Sequence, residues 1–459
     1  MHSVVDLPIV EGAIGSTLPF LFLKDGELSI FSLAWARAQS VERAWSPGAL
    51  HKAVTAVGLF YDFYVIEKQQ RPLHPDELFQ LVKEFYEARR FGLSSLGWRP
   101  VRFKTASDDV RFVSSFTEWC SKNLGLLPVN PVERESLSSL NLGDQRRAFD
   151  RFQRRKGWDK LFHLHPSTDE GRGVVEEHRF RPIGRRPRAS AGKKHFPPGK
   201  VMSLIRATPS VRDKLYLLLL IFGGLRASEP LHLFVTDVRI KPDGVAEVVL
   251  GHPETGFYEW VDSVKGKQRG NRASFLAERY FLGPRNRLAF RHPLYAGWKG
   301  MALDNGQRHE SVVNWLFEDA GRLFARLHAQ YMHETRSKVR DDHPYYFVNE
   351  APGLYFGLPV KLSNMSKAFE RSARRIGLSA NSDGVNPHGG RHFYGFYCAS
   401  CLRLSVETTQ KLMHHESMLS TMDYYALSAE VARSELHKAQ VSQAQDLPAM
   451  LRVNDLSTV

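Results

Sequence analysis

The sequence has 459 residues, of which 42% are hydrophobic and 24% charged, and its formal net charge is +14. This length exceeds what one hydrophobic core serves, so we expect two or three domains, and the positive charge favours a polyanionic partner, either nucleic acid or a membrane surface. The longest apolar run, 215–222, has the length of a core helix, which excludes a membrane span, and the N-terminus lacks a signal-peptide pattern.

The first third of the chain changes from a strand-like to a helical pattern near Ser46. Residues 1–45 mix short apolar segments with a turn signal, and we treat them as an N-terminal extension of unknown role. Beyond them, apolar residues at helical spacing predict four amphipathic helices, which make a helical domain at 46–165. These helices are expected from Pro47, after Pro75, over 108–124 and over 143–156.

Residues 166–199 form a basic interdomain linker in this interpretation. From residue 179 onward its arginines and lysines are accompanied by no acidic residue, and its prolines and glycines preclude a regular helix. Such a stretch is often only a solvated linker, and the functional interpretation is a segment that follows a phosphate backbone and displaces counterions. The residues assigned to DNA binding are Arg179, Arg181, Arg185, Arg186, Arg188, Lys193 and Lys194.

The rest of the sequence predicts a mostly helical domain at 200–440 with one small sheet. An apolar helix over 211–222 ends at Gly223-Gly224. Strands are expected at 235–240, 246–250 and 261–276, the last of them broken at Lys265-Gly266-Lys267. Helices are expected at 310–330, 364–376, 390–401, 406–415 and 419–440. The polar tail at 441–459 is expected to be mobile.

The three cysteines of the sequence are Cys120, Cys398 and Cys401. Three thiols do not build a disulfide framework, and they fit a reducing compartment. Cys398 and Cys401 lack the second pair or the histidine cluster that a zinc site needs, so we expect neither a metal nor another cofactor.

Arginines, histidines and a tyrosine in the second half suit attack by a tyrosine hydroxyl on a phosphodiester. Negative charge then builds on the non-bridging oxygens, and Arg226 and Arg391 are suited to stabilise it. His388 shares a helical face with Arg391 and is suited to donate a hydrogen bond or to act as acid or base, while His415 can donate to the other oxygen. Tyr424, the proposed nucleophile, needs cationic neighbours because tyrosine has a pKa of about 10.

Each of these residues also has a plainer interpretation. Arg226 and Glu229 at i,i+3 are typical of a surface ion pair. Tyr424 and its neighbour Tyr425 are typical of core aromatics on an amphipathic helix. Lys265, which we expect to supply the proton to the 5′ oxygen, lies in what is most often a solvated hairpin tip. Any one of these short motifs can arise by chance. The prediction of phosphodiester chemistry therefore depends on all of them occurring together in this order.

Three segments resemble the signature boxes of the tyrosine recombinases, the phage-integrase family. Gly224-Leu225-Arg226-Ala227-Ser228-Glu229 resembles the G-L-R-x-S-E box, and Pro387-His388-Gly389-Gly390-Arg391-His392 resembles the P-H-x-L-R-H box with Gly390 in place of leucine. His415 and Tyr424 match the L-G-H box and the nucleophile at the family's usual interval.

The sequence departs from the family pattern at three further places. Lys265-Gly266-Lys267-Gln268-Arg269 resembles the K-G-x-K-x-R hairpin one residue short, so Lys265 is preferred and Lys267 is an alternative. His414 stands where the L-G-H box has glycine, which leaves His414 beside His415 as a candidate. Tyr425 likewise remains an alternative to the preferred Tyr424.

The resemblance covers about 195–430 and implies both a fold and an activity. The implied fold is mainly α with a small antiparallel β-sheet: a helical core-binding domain, then a mixed α/β catalytic domain with an insertion near 285–345. The implied activity is that of a DNA strand-transferase, a site-specific recombinase or integrase of a mobile genetic element. It would cut and rejoin strands through a 3′-phosphotyrosine without metal or ATP.

The implied partner is double-stranded DNA, bound by a homo-tetramer in the cytoplasm at the nucleoid, with no membrane involved. Two alternatives stay open at this point. One is a type IB-like topoisomerase or telomere resolvase, which uses the same residue types. The other is a DNA-binding protein that keeps the fold without catalysis.

Overall fold

Helices dominate the computed structural model of the protein, and the sheets in its described residues are small and antiparallel, as the sequence predicts. The chain folds as two units. Unit 1 comprises Met1–Arg186 and Arg285–Gly297, and unit 2 comprises Pro187–Pro284 and Trp298–Val459. The structure describes residues 1–11, 14–136, 174–182, 194–262, 264–379, 382–416 and 418–425.

Unit 1 begins with a β-hairpin, in which β1 (Ser3–Glu11) pairs with β2 (Ile14–Phe22). Its described helices are α1 (Ile30–Glu42), α2 (Pro47–Glu67), α3 (Pro75–Phe91) and α4 (Phe103–Leu124). A second antiparallel pair, β3 (Val132–Ser136) and β4 (Val174–His178), follows them in the chain. The hairpin packs on α1 and α2, so the N-terminal residues contribute to the core of this unit.

Capping residues explain where the helices of unit 1 begin. The Ser46 hydroxyl accepts a hydrogen bond from the Ala49 amide, and Pro47 occupies the first turn of α2. The predicted helices from Pro47 and after Pro75 are therefore confirmed. The third begins at Phe103, earlier than predicted, and the helix expected over 143–156 lies outside the described residues.

Part of the predicted insertion near 285–345 belongs to unit 1. The Thr17 hydroxyl donates to the carbonyl of Arg287 at 3.1 Å. The ring of Phe290 lies against α2, where a Cβ on Gly48 would stand only 2.9 Å from it. Gly48 therefore leaves room for a segment from the middle of the sequence.

Unit 2 is built around a buried apolar helix, α6 (Val211–Ile221), in which Leu215 and Leu218 to Ile221 have no measurable exposure. The other described helices are α5 (Val201–Ala207), α7 (Arg272–Tyr280), α8 (Glu318–Glu334), α9 (Leu362–Arg375), α10 (Pro387–Phe396), α11 (Val406–Leu412) and α12 (Met418–Tyr425). Helix α6 packs against both α8 and α10, which places the P-H-x-L-R-H segment on the core helix.

The strands of unit 2 form two small antiparallel sheets within the described residues. One has the order β5 (Val238–Ile240), β6 (Ala246–Gly251) and β9 (Glu310–Val312), and the other is the hairpin of β7 (Phe257–Asp262) and β8 (Gly266–Asn271). No helix in these parts of the chain has the length and apolar character needed to cross a bilayer.

Two predicted elements of unit 2 are wrong in type or extent. The strand predicted over 261–276 is interrupted near Lys265 as expected, in the turn between β7 and β8, but it ends at Asn271. The Asn271 side chain accepts a hydrogen bond from the Ser274 amide and so starts α7. The helix predicted over 310–330 begins only at Glu318, because Glu310–Val312 pairs with β6 as a strand. The predicted helix over 390–401 is present but ends in a π-helical turn at Tyr397–Cys401.

Candidate active site

Arg391 joins two distant segments of unit 2 at the centre of the site. It lies on α10 with only 2% of its surface exposed. Its guanidinium donates to the carbonyl of Gly224 at 2.5 Å and to the carbonyl of Met413 at 2.7 Å. The helix capping that positions it is local, since the Asn386 side chain accepts from the Gly389 amide at 2.9 Å at the start of α10.

Gly224 is required by the turn that carries Arg226. Its φ of +68° lies in the left-handed region, and a Cβ there would stand 3.0 Å from the ring of Tyr394 on α10. The Leu225 amide donates to the carbonyl of Leu219, which ends α6 and turns the chain toward Arg226. The two glycines after α6 thus act as the predicted helix stop.

Glu229 holds both arginines. Its carboxylate has no exposed surface, accepts from the Arg226 amide at 2.7 Å, and accepts from the Arg226 guanidinium at 2.6 Å. The Arg391 guanidinium lies 3.8 Å from the other oxygen. The Arg226 side chain remains 17% exposed, so its guanidinium binds Glu229 and is still accessible to solvent. The plain interpretation of a surface ion pair is wrong for Glu229, which is buried.

His388 and His392 lie one turn apart on α10, with ring centroids 4.5 Å apart. Desolvation by surrounding side chains, followed by the positive charges of Arg391, Lys299 and Arg226, lowers the pKa of His388. An imidazole with a lowered pKa is neutral at pH 7 and can accept a proton.

His415 is buried, at 4% exposure, and its Nδ1 lies 2.8 Å from the hydroxyl of Thr421 on α12. Burial and the neighbouring charges of Arg391 and Arg226 lower the pKa of His415 to about 3. Its ring stacks on that of Tyr424, with centroids 6.0 Å apart and planes within 6°. His415 therefore faces the site as a neutral ring.

His414 occupies the turn after α11 with a φ of +51°. This left-handed conformation favours glycine, the residue of the family's box at this position, and histidine is among the side chains that tolerate it better than most. The ring is 1% exposed and lies 3.9 Å from the Asp304 carboxylate. Its backbone carbonyl accepts from the Ala302 amide, so His414 faces the segment around residue 302.

The two adjacent tyrosines of α12 have different surroundings. The Tyr424 ring lies between His392, at 5.5 Å, and His415. The Tyr425 hydroxyl lies 2.6 Å from the Thr409 hydroxyl and within hydrogen-bond distance of two carbonyls, those of Leu404 and Ser405. The hydroxyl of Tyr425 is thus committed to the start of α11, whereas the Tyr424 ring faces the histidines.

The hairpin lysines are not part of this cluster. The Lys265 amide donates to Asp262 in the turn between β7 and β8, and its side chain is exposed. Lys267 Nζ lies 3.7 Å from Glu259, to which Arg269 also binds. Among the described residues, the contacts of this hairpin do not bring either lysine to Arg226 or Arg391.

Three of the seven predicted DNA-binding residues fall in the described part of the chain. In unit 1, Arg179 lies 3.5 Å from Glu133 and its guanidinium covers the ring of Phe79 at 4.7 Å. Arg181 and Lys194 are both exposed. Residues outside the described ranges are Arg185, Arg186, Arg188 and Lys193.

Lys299 is a cation beside the cluster that the motifs did not identify. Its charge acts on His388 ahead of that of Arg226. It belongs to the segment that lengthens the interval between the two boxes, where no family motif gave a signal.

The described residues contain no group of three or more His, Cys, Asp and Glu side chains arranged to hold a metal ion. The side chains gathered at the site are two guanidinium groups on a buried carboxylate, neutral histidines and a tyrosine. This set can bind an anion through Arg226 and offer it a hydroxyl nucleophile.

No family model and no curated protein matches the sequence. Solved structures do resemble the chain. A XerH site-specific recombinase bound to its palindromic difH substrate is 10% identical, with a TM-score of 0.44 over 86% of this chain and 80% of that one. A XerA recombinase is 13% identical, with a TM-score of 0.34 over 89% and 98%. A lambda integrase dimer on a COC′ core site is 10% identical, with a TM-score of 0.36 over 86% and 76%. All three of these solved structures are named as recombinases or integrases.

Proposed function

We propose that the protein is a site-specific DNA recombinase that cuts and rejoins strands through a 3′-phosphotyrosine. The observation that carries this proposal is the position of Tyr424, whose ring packs against those of His392 and His415. Tyr424 also influences the pKa of Arg391, which shares the carboxylate of Glu229 with Arg226. If Tyr424 were only a core aromatic residue, its packing would not explain why two arginines share a buried carboxylate in the same site.

The proposed step forms one bond and breaks another. The Tyr424 oxygen attacks phosphorus, the bond from phosphorus to the 5′ oxygen breaks, and that oxygen leaves with the electron pair. Neutral His388 accepts the phenolic proton, and the leaving 5′ oxygen takes a proton from an acid, for which Lys265 on the hairpin remains our candidate. Arg226 and Arg391 stabilise the charge on the non-bridging oxygens.

Rejoining reverses the same step with the 5′ hydroxyl of a second strand. The energy of the cut bond stays in the phosphotyrosine, so we propose that neither ATP nor a metal is needed. We further propose that a tetramer of this protein joins two DNA duplexes. Unit 1 and the basic segment from Arg179 to Lys194 would add contacts to the DNA. The protein would act on nucleoid DNA in the cytoplasm as the recombinase of a mobile element.

Tyr425 is the less suitable nucleophile because of the hydrogen bonds of its own hydroxyl, so we prefer Tyr424. The Tyr425 hydroxyl carries a single hydrogen and lies between the Leu404 and Ser405 carbonyls and Thr409. Using it for attack would remove those bonds and require a rotation of about 100° about the helix axis.

A covalent-trapping experiment tests the proposal. A pool of nicked duplexes with a randomised central segment is incubated with the protein in EDTA, and protein-linked DNA is isolated under denaturing conditions. We expect an adduct with the wild type and with Tyr425→Phe, none with Tyr424→Phe, and a linked peptide containing Tyr424 by mass spectrometry. An adduct that persists in Tyr424→Phe, that disappears in EDTA, or that never forms overturns the proposal.

Sequencing the trapped DNA then supplies the substrate for a second assay. Two labelled duplexes carrying the recovered site should exchange strands. Relaxation of supercoiled DNA without exchange would instead identify a topoisomerase.

A further inference from the structure

The segment from Trp298 to Ala302 is fixed at both ends against the proposed active site. The Trp298 ring meets His232 edge-on, with centroids 5.3 Å apart, and His232 ends the 3₁₀ turn that Glu229 begins. At the other end, the Ala302 amide donates to the carbonyl of His414 at 3.3 Å. The short segment therefore spans from the turn of one signature box to the turn of another.

Gly300, in the middle of this segment, packs directly on the residue that follows His415. A Cβ at Gly300 would overlap the carboxylate of Glu416. The contact shows that the segment lies against the turn after His415, while the contacts of Trp298 and Ala302 position the backbone of Lys299.

Lys299 is exposed, and its charge acts on His388. In the described part of the chain no carboxylate lies within ion-pair distance of it, whereas the hairpin lysine Lys267 faces Glu259 and the arginine Arg226 is held by Glu229. Lys299 is thus an exposed lysine on a segment held at Trp298 and Ala302, and its charge helps to lower the pKa of His388. Such a lysine is suited to receive an anion.

We infer that Lys299 is a further phosphate-contacting residue, which binds a non-bridging oxygen of the phosphodiester held by Arg226 and Arg391. This inference rests on the proposed function. It adds a third cation to the site, carried by a segment outside the signature boxes. Arg226, Arg391 and Lys299 together would place three cations against the phosphoryl group at the transition state.

The test compares the single-turnover rate of adduct formation in Lys299→Ala, Lys299→Gln and Lys299→Arg on the trapped DNA. The matched control is Lys338→Ala, an exposed lysine elsewhere in unit 2. We expect the first two variants to lose at least about 10-fold in rate, Lys299→Arg to keep most of the rate, and the control to match the wild type. Wild-type rates in both neutral variants would overturn the inference.

A second substrate separates this role from that of a general acid. In DNA with sulfur in place of the 5′-bridging oxygen, the leaving thiolate needs no proton, because a thiol has a pKa of about 8.5. If Lys299 contacts the phosphate, the Lys299→Ala variant should still form the adduct slowly on this DNA. If the variant instead reacts at the wild-type rate, Lys299 is the general acid and our assignment is overturned.

The two proposals fail in different ways. If the wild type forms no adduct on either DNA, the proposed function is wrong and the role of Lys299 falls with it. If the wild type reacts and the Lys299 variants react equally fast, only the inference about Lys299 is wrong.

Discussion

The carboxylate of Glu229 holds the guanidinium of Arg226 at 2.6 Å from a position with no exposed surface. The same carboxylate lies 3.8 Å from Arg391, so one buried negative charge positions both cations of the proposed site. A buried charge that loses its partner is costly, because water no longer compensates it.

The Glu229→Ala variant should therefore lose both stability and activity. We expect the free energy of unfolding to fall by roughly 3–5 kcal/mol, and Glu229→Gln, which keeps the shape and loses the charge, to fold but form the covalent adduct more slowly. Urea unfolding and the adduct rate measure the two effects. Glu370→Gln is the control, since this half-buried glutamate lies 3.9 Å from an exposed arginine. Equal behaviour of the Glu229 and Glu370 variants would contradict the role of Glu229.

Tyr425→Phe should affect stability and spare the chemistry. The lost hydroxyl lies between Thr409 and the Leu404 carbonyl, so we expect a loss of about 1–3 kcal/mol. The adduct should still form at a rate near that of the wild type once the protein is folded. Tyr355→Phe, at a 66% exposed tyrosine, is the control for stability. Loss of the adduct without loss of stability would instead favour Tyr425 as the nucleophile.

Local signals in the sequence account for the parts of the site that depend on neighbouring residues. The glycine pair at 223–224 marks the end of α6, as predicted, so the turn toward Arg226 follows from the sequence. Helix α10 begins at Pro387, three residues before the predicted helix, because Asn386 caps it. The spacing of His388 and Arg391 also follows from helical periodicity alone.

Other features depend on contacts between distant segments and left no local signal. The burial of Glu229 results from packing against α10, so its i,i+3 spacing from Arg226 did not distinguish it from a surface pair. Strand β9 forms because β6 is available to pair with it, although its sequence continues into a helical pattern. Lys299 lies in the segment from Trp298 to Ala302, which resembles none of the family's signature motifs. The choice between Tyr424 and Tyr425 likewise needed the position of α11.

Gly395→Ala should displace Tyr424 without harming the fold. Gly395 lies on α10, and a Cβ there would stand 2.7 Å from the Tyr424 ring. Alanine suits the helix itself, so the strain falls on the tyrosine, and a displacement of this kind can lower the rate by about 100-fold. We expect slower adduct formation with nearly unchanged DNA binding. Gly306→Ala, where a Cβ meets nothing within 4 Å, is the control. A wild-type rate in Gly395→Ala would show that the ring position is not critical.

The stability of unit 2 should fall as the pH is lowered from 7 to 5, and His415 should account for part of the fall. Burial lowers the pKa of His415 to about 3 in the folded protein, against about 6.5 in the unfolded chain. Between these values only the unfolded state binds the proton, so the stabilisation is complete above about pH 6.5 and is lost progressively toward pH 3. At pH 5 the loss from this one group is about 2 kcal/mol. We expect His415→Asn to show a smaller shift in urea midpoint between pH 7 and pH 5 than the wild type, and His333→Asn, at an exposed histidine, to shift as the wild type does. Equal shifts in all three proteins would mean that His415 is not held neutral by the fold.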